Sequence, residues 1–138
     1  MKQAIVTTTI NPPTKALKKF AEIAVRDGWT LVIIGDKKTP DQDYVDFCEQ
    51  YEGAVVYLDC AAQDALAPEL SELIGWNCIQ RRNLGLVYAY QQGAEIVAVV
   101  DDDNIPYETW GRNLHLGESY AVSTFKTASR VFDPISPA

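Results

Sequence analysis

A chain of 138 residues, 47% hydrophobic and 22% charged, has the composition of a single globular domain with its own core, which excludes a disordered chain. Its formal net charge of −7 excludes a basic nucleic-acid surface and attraction to an anionic membrane. A phosphorylated small molecule remains compatible, given a metal ion or a few local Arg and Lys side chains.

The first strand is expected over Ala4–Ile10, a β-branched run broken by Asn11-Pro12-Pro13-Thr14. Capping residues and Pro then introduce an amphipathic helix from Lys15 to Asp27, with Leu17, Phe20, Ala21 and Ala24 on one face and Gly28 as its stop. Thr30–Ile34 reads as a second, buried strand closed by the turn Gly35-Asp36-Lys37-Lys38-Thr39-Pro40. A second helix is expected from Asp41 to about Gly53, and a third strand over Ala54–Leu58. The stretch from Asp59 to Trp76 has no clear period, although Pro68 suits the start of a short helix carrying Leu70, Leu73 and Ile74. One further helix is expected from about Asn77 to Gln92, with Leu84, Val87 and Tyr88 on its apolar face and a stop at Gly93.

The fourth strand organises the rest. Ile96–Val100 is apolar at every position, the composition of a strand buried on both faces of a parallel sheet, and it ends in Asp101-Asp102-Asp103-Asn104. Beyond Pro106, Tyr107–Leu114 is expected to be helical and Tyr120–Phe125 to be a strand. The tail from Phe132 to Ala138 reads as an end or a linker.

Strands alternating with helices imply an α/β, Rossmann-like, doubly wound and mainly parallel sheet with right-handed crossovers, one domain over residues 1–138. Strand four then lies beside strand one, and their C-terminal ends flank the switch point where such sheets bind ligands. On extended backbone, Asp101 and Asp103 point the same way, and oxygen ligands of that kind suit Mg²⁺ or Mn²⁺ sharing coordination with substrate phosphates. The alternative is an acidic turn that caps the next element.

Three more groups reach the same edge. Thr7, Thr8, Thr9 and Asn11 can hold a base or ribose, or serve only as strand formers and a helix cap. Asp36, with Lys37 beside it, can accept from a uracil N–H or a ribose hydroxyl, or form a solvated turn. Arg81 and Arg82, leading toward the acidic strand, can meet phosphates or pair with the acidic cluster. The three cysteines, Cys48, Cys60 and Cys78, form no C-x-x-C pair, so no structural zinc site or redox motif is expected. Neither a Walker A loop, a G-x-G-x-x-G turn nor a G-x-S-x-G elbow is present, and His115 is the single histidine.

Four segments in order, "IVTTTINPPT", "VIIGDKKTP", "WNCIQRRNLG" and "IVAVVDDDNIPYETWG", resemble GT-A type nucleotide-sugar glycosyltransferases. The similarity is greatest to the reversibly glycosylated polypeptide (UDP-arabinopyranose mutase) and STELLO-like group. The resemblance implies a nucleotide-sugar donor, of UDP type, and Mn²⁺ or Mg²⁺. It makes Asp101–Asp103 the DxD motif, with Asp101 and Asp103 at the metal and Asp101 and Asp102 among the nucleotide-sugar ligands. It places Thr7–Thr9 near the nucleoside, Asp36 near the base, and Arg82 near the ribose or diphosphate. GT-A enzymes continue past DxD into an acceptor-binding half, which is expected here to be short or absent, so no catalytic base is assigned and the acceptor is open. A homo-oligomer is expected for the same reason. The chain is expected to be cytoplasmic, because Met1-Lys2-Gln3 leads straight into a strand pattern and no apolar run approaches a membrane span. Two other readings compete: a non-catalytic binding or subunit protein of the same fold, and a phosphotransferase of haloacid dehalogenase type using Asp101-x-Asp103.

Overall fold

The computed structural model describes residues 2–119 and 121. Four strands, β1 (Gln3–Thr8), β2 (Trp29–Ile34), β3 (Val55–Leu58) and β4 (Ile96–Val99), form one parallel sheet in the order β3-β2-β1-β4. This is the order that doubly wound crossovers demand, with β1 paired on both sides.

Strand alternation divides the core into two layers. Ile5, Leu31, Ile33 and Val55 face α1 (Lys15–Asp27) and α2 (Asp41–Glu49), whose Leu17, Phe20, Ala24, Tyr44 and Phe47 are all buried. Ala4, Val6, Val32, Ile34 and Leu58 face α3 (Cys60–Leu66) and α5 (Arg82–Gln91), while α4 (Pro68–Ile74) packs outside on α3. Thr14 starts α1 by accepting from the Leu17 N–H at 3.1 Å, and Gly28 ends it in the left-handed region at φ 74°. Gly85 sets how closely α5 approaches the sheet: a Cβ there would lie 2.4 Å from Val6 Cγ1. Among the described residues no helix is long and apolar enough to cross a membrane.

Several expected boundaries move. β1 stops at Thr8 rather than Ile10, and α2 stops at Glu49 rather than near Gly53. The helix expected from Asn77 starts only at Arg82. Asn77 sits at φ 60° and Cys78 is extended (φ −144°, ψ 149°), so the helix cannot pass through them; a short 3-10 turn, Ile79–Arg81, bridges the gap. α3, which the periodicity does not reveal, begins where the Asp59 carboxylate accepts from the Ala62 N–H at 2.7 Å.

The expectation that β4 is buried on both faces is also corrected. Among the described residues it pairs only with β1, and Val97 and Val99 are 36% and 45% exposed. Ile96, Ala98 and Val100 pack on the α1 side, but α5 does not extend over the other. Tyr107–Leu114 forms turns instead of a helix, with Gly111 and Asn113 both at positive φ. The strand expected over Tyr120–Phe125 and the tail lie outside the described residues, apart from Ala121.

The segment after β4 returns across α1. Trp110 packs edge-on against Phe20, with ring centres 5.1 Å apart, and tilts against Trp29 at 5.3 Å. Nearby, Asp27 accepts from Arg26 at 2.6 Å and from Arg112 at 3.1 Å. These hydrogen bonds, Arg26 first and Arg112 second, hold the Asp27 carboxyl down at about 2. Its folded pKa lies below its unfolded one, so its contribution to stability is present above about pH 4 and is lost as pH falls through about 2. Urea titrations of Asp27→Asn between pH 4 and 2 are expected to show a shallower acid loss than the unmodified protein. Parallel slopes would mean that these arginines leave the folding equilibrium untouched.

Candidate nucleotide site at the carboxyl edge of the sheet

β1 and β2 end at the same edge, and the loops after them are tied together. Thr39 Oγ1 donates to the Thr9 carbonyl at 2.7 Å and accepts from the Asp36 N–H at 2.7 Å. Tyr44 Oη donates to the Asn11 carbonyl at 2.8 Å, and burial pushes this phenol up to about 12. The Thr9 hydroxyl donates to Asp102 Oδ2, and Asn11 Nδ2 donates to the same oxygen at 3.0 Å. The acidic turn is thereby fastened to the end of β1.

Between these loops lies a cavity of about 320 Å³. Thr8, Thr9 and Asn11 form one wall, with Asp102 beside them. Gly35, Asp36 and Lys38 come from the loop after β2, and Asn77, Cys78 and Arg81 from the approach to α5. Ile10 and Ile79 also line it and are 53% and 57% exposed, so the rim presents apolar surface to a ligand. Asp36 is only 6% exposed. Its two oxygens each accept a backbone N–H, from Lys37 at 2.7 Å and from Asn77 at 2.8 Å. The left-handed turn at Asn77, a conformation Asn tolerates well, aims that N–H at Asp36.

The structure sorts the residues expected from the sequence. Thr8, Thr9, Asn11, Asp36 and Asp102 converge on the cavity. Thr7 does not: it is fully buried within β1. Lys37 stands over the Trp76 ring at 5.5 Å, and Lys38 takes the place in the wall. Arg82 is outside the wall and pairs with Asp101 at 2.7 Å, its Nε buried and without a partner among the described residues. Asp101 also accepts from Asn104 Nδ2 at 3.3 Å, and Asp103 is exposed. β4 ends at Val99 and Asp102-Asp103 form a bend, so strict strand alternation does not extend through the acidic run. Lys38, Asn77 and Ile79 are among the lining residues to which the sequence assigned no role, and of the two arginines it named together only Arg81 lines the cavity. The paired arginines were the available signal, but a helix starting at Asn77 gives no reason to choose Arg81.

Among the described residues no group of three or more His, Cys, Asp and Glu side chains is arranged to hold a metal ion. A cage of three or more such side chains is therefore not seen among the described residues, and this edge offers carboxylates singly or in pairs. Mg²⁺ is commonly held in that way, by one or two carboxylates with the remaining positions taken by water and substrate phosphate. No family model matches this chain, and no curated protein matches it.

Proposed function

We propose that the chain binds a nucleoside diphosphate sugar, of UDP type, at this edge, as the donor half of a GT-A type glycosyltransferase does. The observation that carries the reading is the convergence of the β1 end, Asp36 and Asp102 on one cavity, three segments that also belong to the resemblance. The cavity lies at the carboxyl ends of β1 and β2, with Asp102 reaching it from beyond β4, beside the switch point between β1 and β4. Thr8, Thr9 and Asn11 hold the nucleoside side, and Asp102 is oriented by Thr9 and Asn11 toward the ribose. Lys38 and Arg82 supply positive charge for the diphosphate in an otherwise acidic protein. Asp101 and Asp103 would hold Mn²⁺ or Mg²⁺ jointly with the diphosphate, and such an ion would supply charge neutralisation there. Arg82 pairs with Asp101 at 2.7 Å, so a diphosphate that drew Arg82 to itself would free Asp101 for the ion. No general base or acceptor site is assigned, and a binding subunit remains the second reading. The ion pair that occupies Asp101, two residues past the end of β4, favours both over an aspartyl phosphotransferase, whose nucleophile must be free.

Calorimetry with UDP in Mn²⁺ and in EDTA tests this. Binding is expected only with the metal, and at a ligand concentration 100 times Kd it stabilises the fold by about 2.7 kcal/mol. Equal affinity in EDTA removes the metal from the reading, and no binding of UDP or any UDP-sugar in Mn²⁺ removes the reading itself.

A further inference from the structure

At the amino edge of the sheet, the end opposite Asp36 and Asp102, a second cavity of about 300 Å³ opens between α5 and the strands. Side-chain size explains it. Gly85 lets the first half of α5 press onto the sheet at Val6. In the second half the facing residues are Ala89 on the helix and Ala4 and Val32 on the strands, all buried and all small. Interiors normally close such gaps with larger side chains. An apolar cavity of about 150 Å³ already holds a benzene molecule, so this one has room for a ligand's hydrocarbon body. The rim is polar. Lys2 is fixed there: its carbonyl accepts from the Glu95 N–H at 2.9 Å, and its Nζ donates to the Gln92 carbonyl at the end of α5 at 3.0 Å. Two ammonium N–H groups remain. The Tyr88 phenol and the Thr30 hydroxyl, also in the lining, have no hydrogen-bond partner among the described residues. No lining residue is acidic, although the chain carries 19 Asp and Glu against 12 Lys and Arg.

We propose that this cavity binds a small apolar carboxylic acid, with its carboxylate at the rim on Lys2 and Tyr88 and its hydrocarbon body against Ala4, Val32 and Ala89. An ionised carboxylate only accepts hydrogen bonds, and the rim supplies an ammonium and hydroxyl donors. An apolar floor with a few polar groups at its mouth is the usual build of a small-molecule site. A nucleoside diphosphate is a poor match, because its several charges would meet a single ammonium. Aliphatic and aromatic acids share the chemistry that fits, and the length and shape of the body separate them.

Two-dimensional NMR titrations of the full chain with benzoate and with hexanoate test this. Saturating shifts are expected at the Ala4 and Ala89 amides, with a Kd of about 1 mM for the better acid. The tighter of the two identifies the body as aromatic or aliphatic. Benzyl alcohol and hexanol keep the body without the charge, and acetate keeps the charge without the body; each is expected to bind at least tenfold more weakly than the better acid. The Lys2 side chain is exposed, so Lys2→Met leaves the core intact, and it is expected to bring the acid down to the level of its alcohol. Tyr88→Phe is expected to weaken the acid and to leave the alcohol unchanged. Shifts that rise linearly with both acids, alcohols that bind as tightly as the acids, or an acid affinity undiminished in Lys2→Met overturns the proposal.

Discussion

Asp36→Ala is expected to weaken UDP binding about 10- to 100-fold and to leave the dependence on Mn²⁺ intact, since a hydrogen bond to a charged group contributes roughly 1.5–3 kcal/mol and 1.4 kcal/mol is tenfold. The loss has two sources. The acceptor for the base disappears from the cavity, and the N–H groups of Lys37 and Asn77 lose their partner. The second loosens the turn at Asn77, which leads into the segment carrying Ile79 and Arg81. Asp36→Asn separates the two, because it keeps an oxygen for one N–H but places an amide N–H₂ against the other. Calorimetry with UDP and with uridine reads both variants. If each ligand binds Asp36→Ala as it binds the unmodified protein, Asp36 only holds the turn.

A large effect on stability is expected at Trp110. Removing a buried Trp costs about 3–5 kcal/mol. Trp110 is half-buried, but it makes two aromatic contacts, each worth about 0.5–1.5 kcal/mol beyond area. Trp110→Ala is therefore expected to lose about 3 kcal/mol, a fall in Tm of roughly 10 °C for a domain of this size. Urea unfolding is expected to show a lower midpoint with an unchanged slope. A loss under about 1 kcal/mol would show that the return segment adds little to the packing of Phe20 and Trp29.

Strand identities and order were legible because Ile5–Val6, Leu31–Ile34 and Val55–Val56 are β-branched or aliphatic runs separated by helix-length stretches. What escaped depended on neighbours distant in sequence. β4 has the composition of an interior strand, yet its burial is set by what lies beside it, and among the described residues no helix packs over Val97 and Val99. Three of the seven residues of α3 are Ala, and Leu66 is its one large apolar side chain, so little apolar period betrays it. At the site, Asp36 and Asp102 were reachable from their positions after strands. Arg81 was not: one positive φ at Asn77 delays the helix and decides which of two adjacent arginines joins the wall, and propensity does not encode that choice.

The Thr14 hydroxyl both accepts from the Leu17 N–H and donates to the Asp102 carbonyl. One oxygen therefore joins the first turn of α1 to the acidic turn, across 88 positions of sequence. The two cannot open separately without breaking a bond at that oxygen. The Leu17 amide, inside a helix that adds no residue to the cavity wall, becomes a reporter of the acidic turn: its hydrogen-exchange rate is expected to follow the opening of Asp102 as well as the fraying of α1. Any ligand that steadies Asp102 slows exchange at Leu17, while amides in the middle of α1 keep their rate.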